Sequence, residues 1–355
     1  MWHHRIIEKS KITMVNIEKS LSLTNNFSKY KEHKSLLIKG IKSDSVFKYS
    51  IVIPTYKRVC TLKETLESAM SQDYNGAYEI IISDNNPNRD DETEKYISSI
   101  MDKRLLYYKH DENLGMTGNW NRCIELANGE YIVFIHDDDI LYKNFLTQVS
   151  RVFQSYPHIE ILAPLRKIWH EASEDKPSQG DISKSFRLEK KYLYHCITDN
   201  LFPPTGIVCK KAACMRLGGF NEIMYPSMDY VFNALATIHA NVYVYDMPLS
   251  IYRYGINESL KYETHIKWLK VNIPFIKEML SYYHIPYFIG KTFVHTYSMQ
   301  MIQVMKKSFS DLMDVSFDYS IVELPQTGIR EKFDTFIYKT WKRFERLHYK
   351  VSRKL

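Results

Sequence analysis

Short apolar runs begin to alternate with amphipathic segments at about residue 48. In the fourth of these runs, Tyr131–Ile135, β-branched and aromatic residues fill every position, which is typical of a strand buried on both faces. The predicted strands are Ser50–Ile53, which Pro54 ends, the segment YEIIISDN up to Asp84, the segment RLLYYKH, and Tyr131–Ile135.

Amphipathic segments separate these strands. Thr61 and Glu64 have the spacing of a capping box, and the apolar residues of LKETLESAMSQ fall on one helical face. The segment ENLGMTGNWN leads into a helix that we expect to end at Asn128-Gly129. Because strands alternate with helices, we predict an α/β fold, a Rossmann-like α/β/α sandwich with a mostly parallel central sheet.

The pattern divides the chain into three parts. Residues 1–47 are an extension of uncertain structure, residues 48–260 carry the alternating elements, and residues 261–355 are mostly helical with a basic amphipathic tail at about 331–355. No signal peptide and no apolar window of membrane-spanning length are evident. Five cysteines without C-x-x-C spacing favour a reducing compartment and argue against structural zinc. We therefore expect a cytoplasmic protein.

Charge is concentrated at the end of the chain. The net charge is +7, and the segment from Lys339 to Leu355 holds seven Lys or Arg and one acid, Glu345. The rest is nearly balanced, so we expect no nucleic-acid partner. In a helical projection the tail separates an apolar from a basic arc, as in helices that lie in a membrane interface. The apolar arc comprises Phe333, Phe336, Ile337, Trp341, Phe344, Leu347 and Val351. The alternative is a helix packed on the protein's own core.

Three carboxylates, Asp137, Asp138 and Asp139, directly follow the fourth predicted strand. In parallel sheets, ligands bind beyond the carboxyl ends of the strands, where this loop should meet Pro54-Thr55-Tyr56 and Asp84-Asn85. Clustered carboxylates suit Mg²⁺ or Mn²⁺, which commonly bridge a protein to substrate phosphates. The triplet therefore predicts a Mn²⁺ or Mg²⁺ site, the alternative being a solvated acidic turn.

Residues 48 to about 260 resemble a family 2 glycosyltransferase with the GT-A fold, an inverting family that uses nucleotide sugars. Seven segments carry the resemblance in the family's usual order: SIVIPTYKR, YEIIISDN, NLGMTGNWN, FIHDDDIL, LGGFNE, MDY and YRYGINES. Together they span roughly 60% of the chain. The resemblance implies a GT-A domain with a helical C-terminal appendage.

The family's Asp-x-Asp motif falls on His136-Asp137-Asp138. The resemblance thus implies that Asp138 is the main metal ligand, with Asp137 or Asp139 supplying a second contact to the metal or the sugar. A histidine stands at the motif's first position, which departs from the family pattern.

The resemblance also implies a nucleotide-sugar site. Asp84 would accept from N3–H of uracil, Pro54, Thr55 and Tyr56 would pack along the base, and Arg58 would lie near the phosphates. Asn113 and Gly115 would close over the nucleotide, and Arg253 would bring a cation to the diphosphate. The alternatives are a helix cap for Asp84, a tight turn for Asn113 and Gly115, and a structural ion pair for Arg253.

An inverting transfer needs a general base, and the family places it where Asp229 stands in this chain. Met228 precedes it, where members often have Glu, and Glu222 is the reserve candidate. Asp229 could also be simply an acid that stabilises a helix N-terminus.

We therefore expect an inverting hexosyl- or N-acetylhexosaminyltransferase that moves a sugar, from a UDP-sugar, to a hydroxyl of a growing lipid-linked glycan. Capsule, exopolysaccharide and O-antigen are the expected products, made at the inner face of the cell membrane. One alternative is a degenerate GT-A protein that binds sugar or assists assembly without catalysis. Another is a sugar nucleotidyltransferase, although PTYKRVCTLKE lacks the glycine-rich loop that this class needs.

Overall fold

The computed structural model describes residues 20–42, 46–172, 174–179, 187–255, 260–325 and 328–352. The strands are β1 Ser35–Lys39, β2 Tyr49–Thr55, β3 Tyr78–Asp84, β4 Leu105–His110, β5 Tyr131–Phe134, β6 Ile140–Leu141, β7 Ile161–His170, β8 Leu188–Lys190, β9 Val208–Lys210 and β10 Val242–Tyr254. The helices are α1 Val59–Met70, α2 Glu92–Ser99, α3 Gly115–Leu126, α4 Phe145–Ser155, α5 Leu193–Cys196, α6 Lys211–Leu217, α7 Met228–His239, α8 Tyr262–Tyr282, α9 Tyr287–Ser316 and α10 Gly328–Ser352.

All ten strands form one sheet, in the order β1-β4-β3-β2-β5-β9-β7-β10-β6, with β8 paired to β10. Strands β4, β3, β2 and β5 are mutually parallel, and β9 joins β5 in the antiparallel direction. The predicted α/β class with a central sheet and a helical C-terminal region is confirmed. The sheet is mixed, because β1, β6, β8 and β9 pair antiparallel to their neighbours.

Helices cover both faces of the sheet, which explains why its central strands are apolar throughout. Successive side chains of a strand point to opposite faces. Ile51 and Ile53 belong to one hydrophobic cluster with Leu62 and Leu66 of α1. Val52 belongs to a second cluster, with Trp120 and Ile124 of α3 on the other face.

The capping box predicted at Thr61 is wrong. Helix α1 begins at Val59, so Thr61 lies inside its first turn and donates to the carbonyl of Arg58 over 3.3 Å. Lys57 has a φ of 55°, and this left-handed residue turns the chain into the helix earlier than the pattern indicates. Glu64 is therefore free to pair with Lys176 and Arg253.

Part of the N-terminal extension belongs to the sheet. Strand β1 pairs with β4 at the sheet edge, with Ser35 opposite His110. The backbone N–H of Asn26 donates to the carbonyl of Gly218 over 3.0 Å. Residues 1–19 and 43–45 of the predicted extension lie outside the described residues.

The C-terminal helices pack on one another and on the sheet domain. Helix α10 docks on α9 through buried Asp334, which accepts from Thr292 over 2.8 Å and pairs with His295 at 2.7 Å. Among the described residues, no helix is long and apolar enough to cross a membrane. Four of the five cysteines are buried free thiols, and Cys60 is exposed.

Candidate active site

A cavity of about 810 Å³ lies at the carboxyl ends of β2, β3 and β5. This volume is typical of small-molecule sites. Predicted residues from four separate segments of the chain meet in its wall: Pro54, Thr55, Tyr56, Arg58, Asn113, Gly115, Asp137, Asp138 and Asp229. Three other predicted residues, Asp84, Asp139 and Arg253, do not line it.

Arg58 is the cation that offsets the acidic loop. Its guanidinium donates to Oδ1 of Asp137 over 3.1 Å and pairs with Oδ2 of Asp138 at 2.9 Å. Thr55 donates to the other oxygen of Asp137 over 2.7 Å. Burial raises the pKa of Asp137 to about 6, although Arg58 and Thr55 oppose the shift. The acidic loop is therefore buried rather than solvated, and Arg58 compensates part of its negative charge.

Asp139 anchors the acidic loop through buried contacts outside the cavity. Its side chain is fully buried and accepts from the hydroxyl of Thr205 and, over 2.9 Å, from the backbone N–H of Arg253. Burial, with the neighbouring Asp138 charge, raises the pKa of Asp139 well above its ordinary value. Thr65 of α1 donates to its carbonyl over 2.8 Å.

Three side chains that could hold a metal ion lie at the same loop. One ligand atom each from His136, Asp138 and Asp139 lies within 4.8 Å of the others. The ring of His136 stacks on Trp120, with centroids 5.2 Å apart, and its buried Nε2 has no hydrogen-bond partner among the described residues. Burial lowers the pKa of His136, so the neutral, ligating form is favoured. The other ring nitrogen, Nδ1, lies 3.5 Å from Oδ2 of Asp139. A neutral imidazole grouped with two carboxylates fits a divalent cation.

Asp84 lies beneath the cavity wall. Its carboxylate is fully buried and accepts from Tyr107 over 2.7 Å, from the N–H of Asn86 over 2.9 Å and from Lys109 over 3.3 Å. Burial raises the pKa of Asp84, while Tyr107 and Lys109 partly offset this. The uracil contact expected of Asp84 does not fit this position. The capping alternative does not fit either, because Asp91 caps α2.

Asn85, the next residue, faces the cavity instead. Its side-chain amide donates to Asn113 over 2.7 Å and to the carbonyl of Gly115 over 3.1 Å. Its Oδ1 accepts from the N–H of Leu114 over 2.8 Å, which leaves one acceptor position on that oxygen. Gly115 has a φ of 70°, a conformation that favours glycine. Asn85 thus holds the Asn113–Gly115 turn against the cavity.

Asp229 stands in the first turn of α7 and borders the cavity. The amide of Asn200 donates to its Oδ2 over 2.9 Å. Burial raises the pKa of Asp229, and the Asn200 hydrogen bond acts in the opposite direction. The carboxylate is half-buried and can meet a ligand, which fits a general base.

Glu222, the reserve base, lies elsewhere. It pairs with Lys29 and accepts from Tyr30, both in the N-terminal extension. These contacts lower the pKa of Glu222 against the effect of its burial. Glu222 does not line the cavity, so Asp229 is the better placed of the two candidates.

The position of Arg253 does not match the predicted diphosphate contact. Its guanidinium pairs with Glu64 and, at 2.7 Å, with Glu171, and lies 4.8 Å from the ring centroid of Trp169. Its Nε donates to the carbonyl of Asp138 over 3.0 Å. Arg253 therefore fits the structural alternative, since it braces the acidic loop from outside the cavity. Residues 256–259 of the motif YRYGINES lie outside the described residues.

Part of the cavity wall comes from residues that the sequence patterns did not single out. Helices α8 and α9 contribute Thr264, Trp268, Asn272, Tyr297, Gln300 and Met301. Trp268 and Asn272 are four residues apart and lie one helical turn from each other, as the spacing would have shown. No sequence signal indicated that this face turns toward the strand ends.

Comparison with known proteins identifies a family for the sheet domain. The model of the family described as "Glycosyl transferase family 2" matches residues 50–223, which hold both the acidic loop and β3. The chain belongs to glycosyl transferase family 2 through these residues. The family resemblance predicted from the seven motifs is confirmed.

Two bacterial relatives match shorter stretches. GalNAc(5)-diNAcBac-PP-undecaprenol beta-1,3-glucosyltransferase of Campylobacter jejuni is 31% identical over 116 residues, 32% of this chain and 37% of the relative. UDP-Glc:alpha-D-GlcNAc-diphosphoundecaprenol beta-1,3-glucosyltransferase of Escherichia coli is 34% identical over 118 residues, 32% of this chain and 46% of the relative. In both cases, the match spans less than half of the relative's length.

Solved structures extend the similarity in fold beyond the family match. The crystal structure of S. aureus TarS 1-349 in complex with UDP-GlcNAc has a TM-score of 0.56 and 18% identity, covering 77% of each chain. The structure of the same protein with UDP has a TM-score of 0.55. At this identity the comparison shows a shared fold, consistent with the predicted GT-A architecture.

Proposed function

We propose that this chain transfers a sugar from a UDP-sugar to a hydroxyl of a lipid-linked cell-surface glycan, with inversion at the anomeric carbon. One observation carries the proposal. Asp229, a partly buried carboxylate, and the loop of Asp137 and Asp138 border the same cavity although they are far apart in sequence. A base and a diphosphate-binding acidic loop are the two parts that such a transfer requires.

In the proposed step, Asp229 takes the proton of the acceptor hydroxyl as that oxygen forms its bond to the anomeric carbon. The bond from this carbon to the diphosphate oxygen breaks, and its electron pair leaves with the nucleoside diphosphate. A carboxyl group whose pKa is raised is a stronger base once it is ionised, and Asn200 directs its Oδ2.

We assign the donor diphosphate to Arg58, the one Lys or Arg among the described residues that line the cavity. It borders the cavity and is held by Asp137 and Asp138, so its charge is oriented before the donor binds. A divalent ion, held by Asp138 with His136 and Asp139, would neutralise part of the charge that develops on the leaving diphosphate. The imidazole in this set favours Mn²⁺ over Mg²⁺, which prefers oxygen ligands alone.

The base-binding end of the donor site is assigned to Asn85 rather than Asp84. Both amide protons of Asn85 are used within the protein, so its remaining capacity is that of an acceptor. An acceptor here fits N3–H of uracil or thymine, whereas the matching edge of adenine offers no donor at this position. Thr55 and Tyr56 border the cavity close by and would pack along the base.

The names of the relatives support the acceptor class. Both relatives are named as glucosyltransferases acting on sugars attached to undecaprenol through a diphosphate. We propose a lipid-linked acceptor of that kind, with glycan biosynthesis at the inner face of the cell membrane as the setting. A hexose or an N-acetylhexosamine is the sugar class to test first.

Helix α10 supports attachment to a membrane surface through part of the predicted apolar arc. Trp341 packs inward, 5.1 Å from Phe293 and 6.2 Å from Tyr194 between ring centroids. Phe336 and Phe344, in contrast, are 66% and 52% exposed. Trp341 therefore packs on the protein's own core, as expected from the alternative to a membrane-bound helix.

The exposed side of α10 retains the combination that suits anionic lipid. Phe333, Phe336 and Phe344 are exposed beside the basic residues Lys339 and Arg343. Exposed aromatic groups next to cations favour a negatively charged membrane interface. The side chains of residues 347–352, and residues 353–355 altogether, lie outside the description.

Donor hydrolysis tests the proposed function. Purified protein is incubated with a panel of UDP- and dTDP-sugars, with Mn²⁺ or EDTA, and release of nucleoside diphosphate is measured with and without bacterial lipid extract. We expect Mn²⁺-dependent release from one UDP-sugar, faster with the extract, and none from Asp138→Asn. Binding without turnover under all conditions would favour the non-catalytic subunit. Formation of a nucleotide sugar from a sugar phosphate and a nucleoside triphosphate would favour the nucleotidyltransferase.

A further inference from the structure

The cavity continues beyond the catalytic-domain loops into a part lined by the C-terminal helices. Trp268 and Asn272 of α8 and Tyr297 and Gln300 of α9 form this part of the wall. Residues spaced by three or four positions share a helix face, so each helix presents a pair toward the cavity. These helices lie outside the family match, which ends at residue 223.

Asn272 and Tyr297 join the two helices. The amide of Asn272 donates to the hydroxyl of Tyr297 over 2.8 Å, which fixes the orientation of the amide group. Its Oδ1 is buried and has no hydrogen-bond partner among the described residues. A buried carbonyl oxygen is normally paired, so this atom requires a donor from a ligand or water.

The chemistry of this part of the wall indicates a neutral ligand. Its six side chains, Thr264, Trp268, Asn272, Tyr297, Gln300 and Met301, carry no formal charge. A diphosphate would require cations, as it has at Arg58. An aromatic face beside amide and hydroxyl groups instead suits a ring with hydroxyls at its edge and C–H groups on its face.

We propose that this part of the cavity is the subsite for the acceptor sugar. A pyranose ring would stack its C–H face on the half-buried indole of Trp268, and one of its hydroxyls would donate to Oδ1 of Asn272. Another hydroxyl would then extend toward Asp229, which borders the same cavity. The inference rests on the proposed function, because it assigns the second substrate of that reaction.

Saturation-transfer NMR on the full chain tests the subsite without knowledge of the natural acceptor. The protein is loaded with excess UDP, and methyl glycosides of glucose, galactose, N-acetylglucosamine and N-acetylgalactosamine are added one at a time. We expect ring-proton signals from at least one glycoside, retained in the presence of UDP because the donor site is separate.

Variants of Trp268 and Asn272 distinguish binding at the subsite from nonspecific binding of the glycoside. Trp268→Ala should abolish the signal and Trp268→Phe should retain it, since a flat ring remains. Asn272→Ala should weaken the bound glycoside about tenfold, the usual effect of one lost hydrogen bond. Tyr287→Ala, an exposed aromatic at the start of α9, is the matched control and should behave as wild type.

UDP affinity, measured by calorimetry, shows that each variant is folded and should be unchanged in all of them. The proposal is overturned if no glycoside binds the wild type, if Trp268→Ala retains the signal, or if UDP displaces the glycoside. Failure of the proposed function can be distinguished from failure of the sugar subsite. In that case UDP-sugars are neither bound nor hydrolysed, while glycoside binding that depends on Trp268 still supports a sugar subsite.

Discussion

The side-chain amide of Asn200 donates a 2.9 Å hydrogen bond to Oδ2 of Asp229. The carbonyl oxygen of Asn200 accepts from Asn233 over 2.8 Å, which directs the NH₂ group toward the carboxylate. A donor that faces a carboxylate stabilises its ionised form. Asn200 therefore opposes the rise in pKa that burial causes at Asp229, and it fixes the direction of the proposed base.

The first prediction concerns pH. Asp229 must be ionised to accept a proton, so turnover should fall as the pH drops through its raised pKa. Asn200→Ala removes a contact that lowers this pKa, so the acidic limb of the pH–rate profile should move to higher pH. The profile of kcat for wild type, Asn200→Ala and the exposed control Asn88→Ala measures the shift. An unmoved limb in Asn200→Ala would contradict the assigned contact.

The second prediction concerns the metal. EDTA and Asp138→Asn should each abolish transfer while the protein remains folded, because the ion neutralises the leaving group. His136→Asp should shift the binding preference from Mn²⁺ toward Mg²⁺, since an oxygen ligand replaces an imidazole. Calorimetric titration with each metal measures this, with exposed Asp246→Asn as control. Full transfer in EDTA, or an unchanged preference in His136→Asp, would refute the metal assignment.

The third prediction separates Asp84 from Asn85. Asp84→Asn should lower the free energy of unfolding by about 2 kcal/mol, because buried Lys109 loses one of its three carboxylate partners and keeps Asp91 and Glu94. Glu130→Gln removes the partner of the exposed Lys48 and should cost less than about 1 kcal/mol. Chemical denaturation measures both.

UDP binding provides the complementary measurement. Asp84→Asn should retain its preference for UDP over ADP, whereas Asn85→Ala should lose affinity and much of that preference. Calorimetry with both nucleotides decides between the two residues. If Asp84→Asn binds ADP and UDP equally and Asn85→Ala does not, the uracil contact belongs to Asp84.

The fourth prediction concerns α10. Full-length protein should float with anionic vesicles, less at high salt, and a chain ending at residue 327 should not. Replacing Phe336 and Phe344 by Ser should reduce flotation, because both side chains are exposed. Trp341→Phe is the control, since that ring packs inward. Equal flotation of the shortened chain, or none of the full chain, would exclude α10 as the membrane contact.

The sequence contained enough to locate the cavity. The unbroken apolar run before Asp137 required a strand buried on both faces, and parallel strands necessarily bring their carboxyl ends together. Pro54 and Asp138 could therefore be predicted to lie near each other, because each follows a strand. Asp229 stands on α7, and only the family resemblance predicted that it would join them.

Which of two adjacent polar residues faces the cavity depends on strand pairing. Asp84 lies directly opposite Lys109 across β3 and β4, and this cross-strand neighbour keeps its carboxylate inside. Asn85 is then the residue that reaches the cavity. No periodicity within the segment YEIIISDN specifies that register, so the choice of Asp84 could not be checked from sequence.

The positions of Arg253 and Trp341 depend on contacts with residues that are distant in the sequence. Glu64 and Glu171 hold the guanidinium of Arg253, and they lie far from it along the chain. Helical periodicity placed Trp341 on the same arc as Phe336, but the position of α9 decides which side of that arc is covered. Such contacts arise only when the whole chain is packed.

Asp229→Asn tests the central claim most directly, in a transfer assay with the UDP-sugar that the hydrolysis panel identifies. The substitution keeps the size of the side chain and its contact with Asn200, so UDP affinity should be unchanged. Turnover should fall about 10²–10⁴-fold, the usual contribution of a general base. Turnover near the wild-type value, or loss of UDP affinity without loss of turnover, would show that Asp229 is structural and contradict the proposed mechanism.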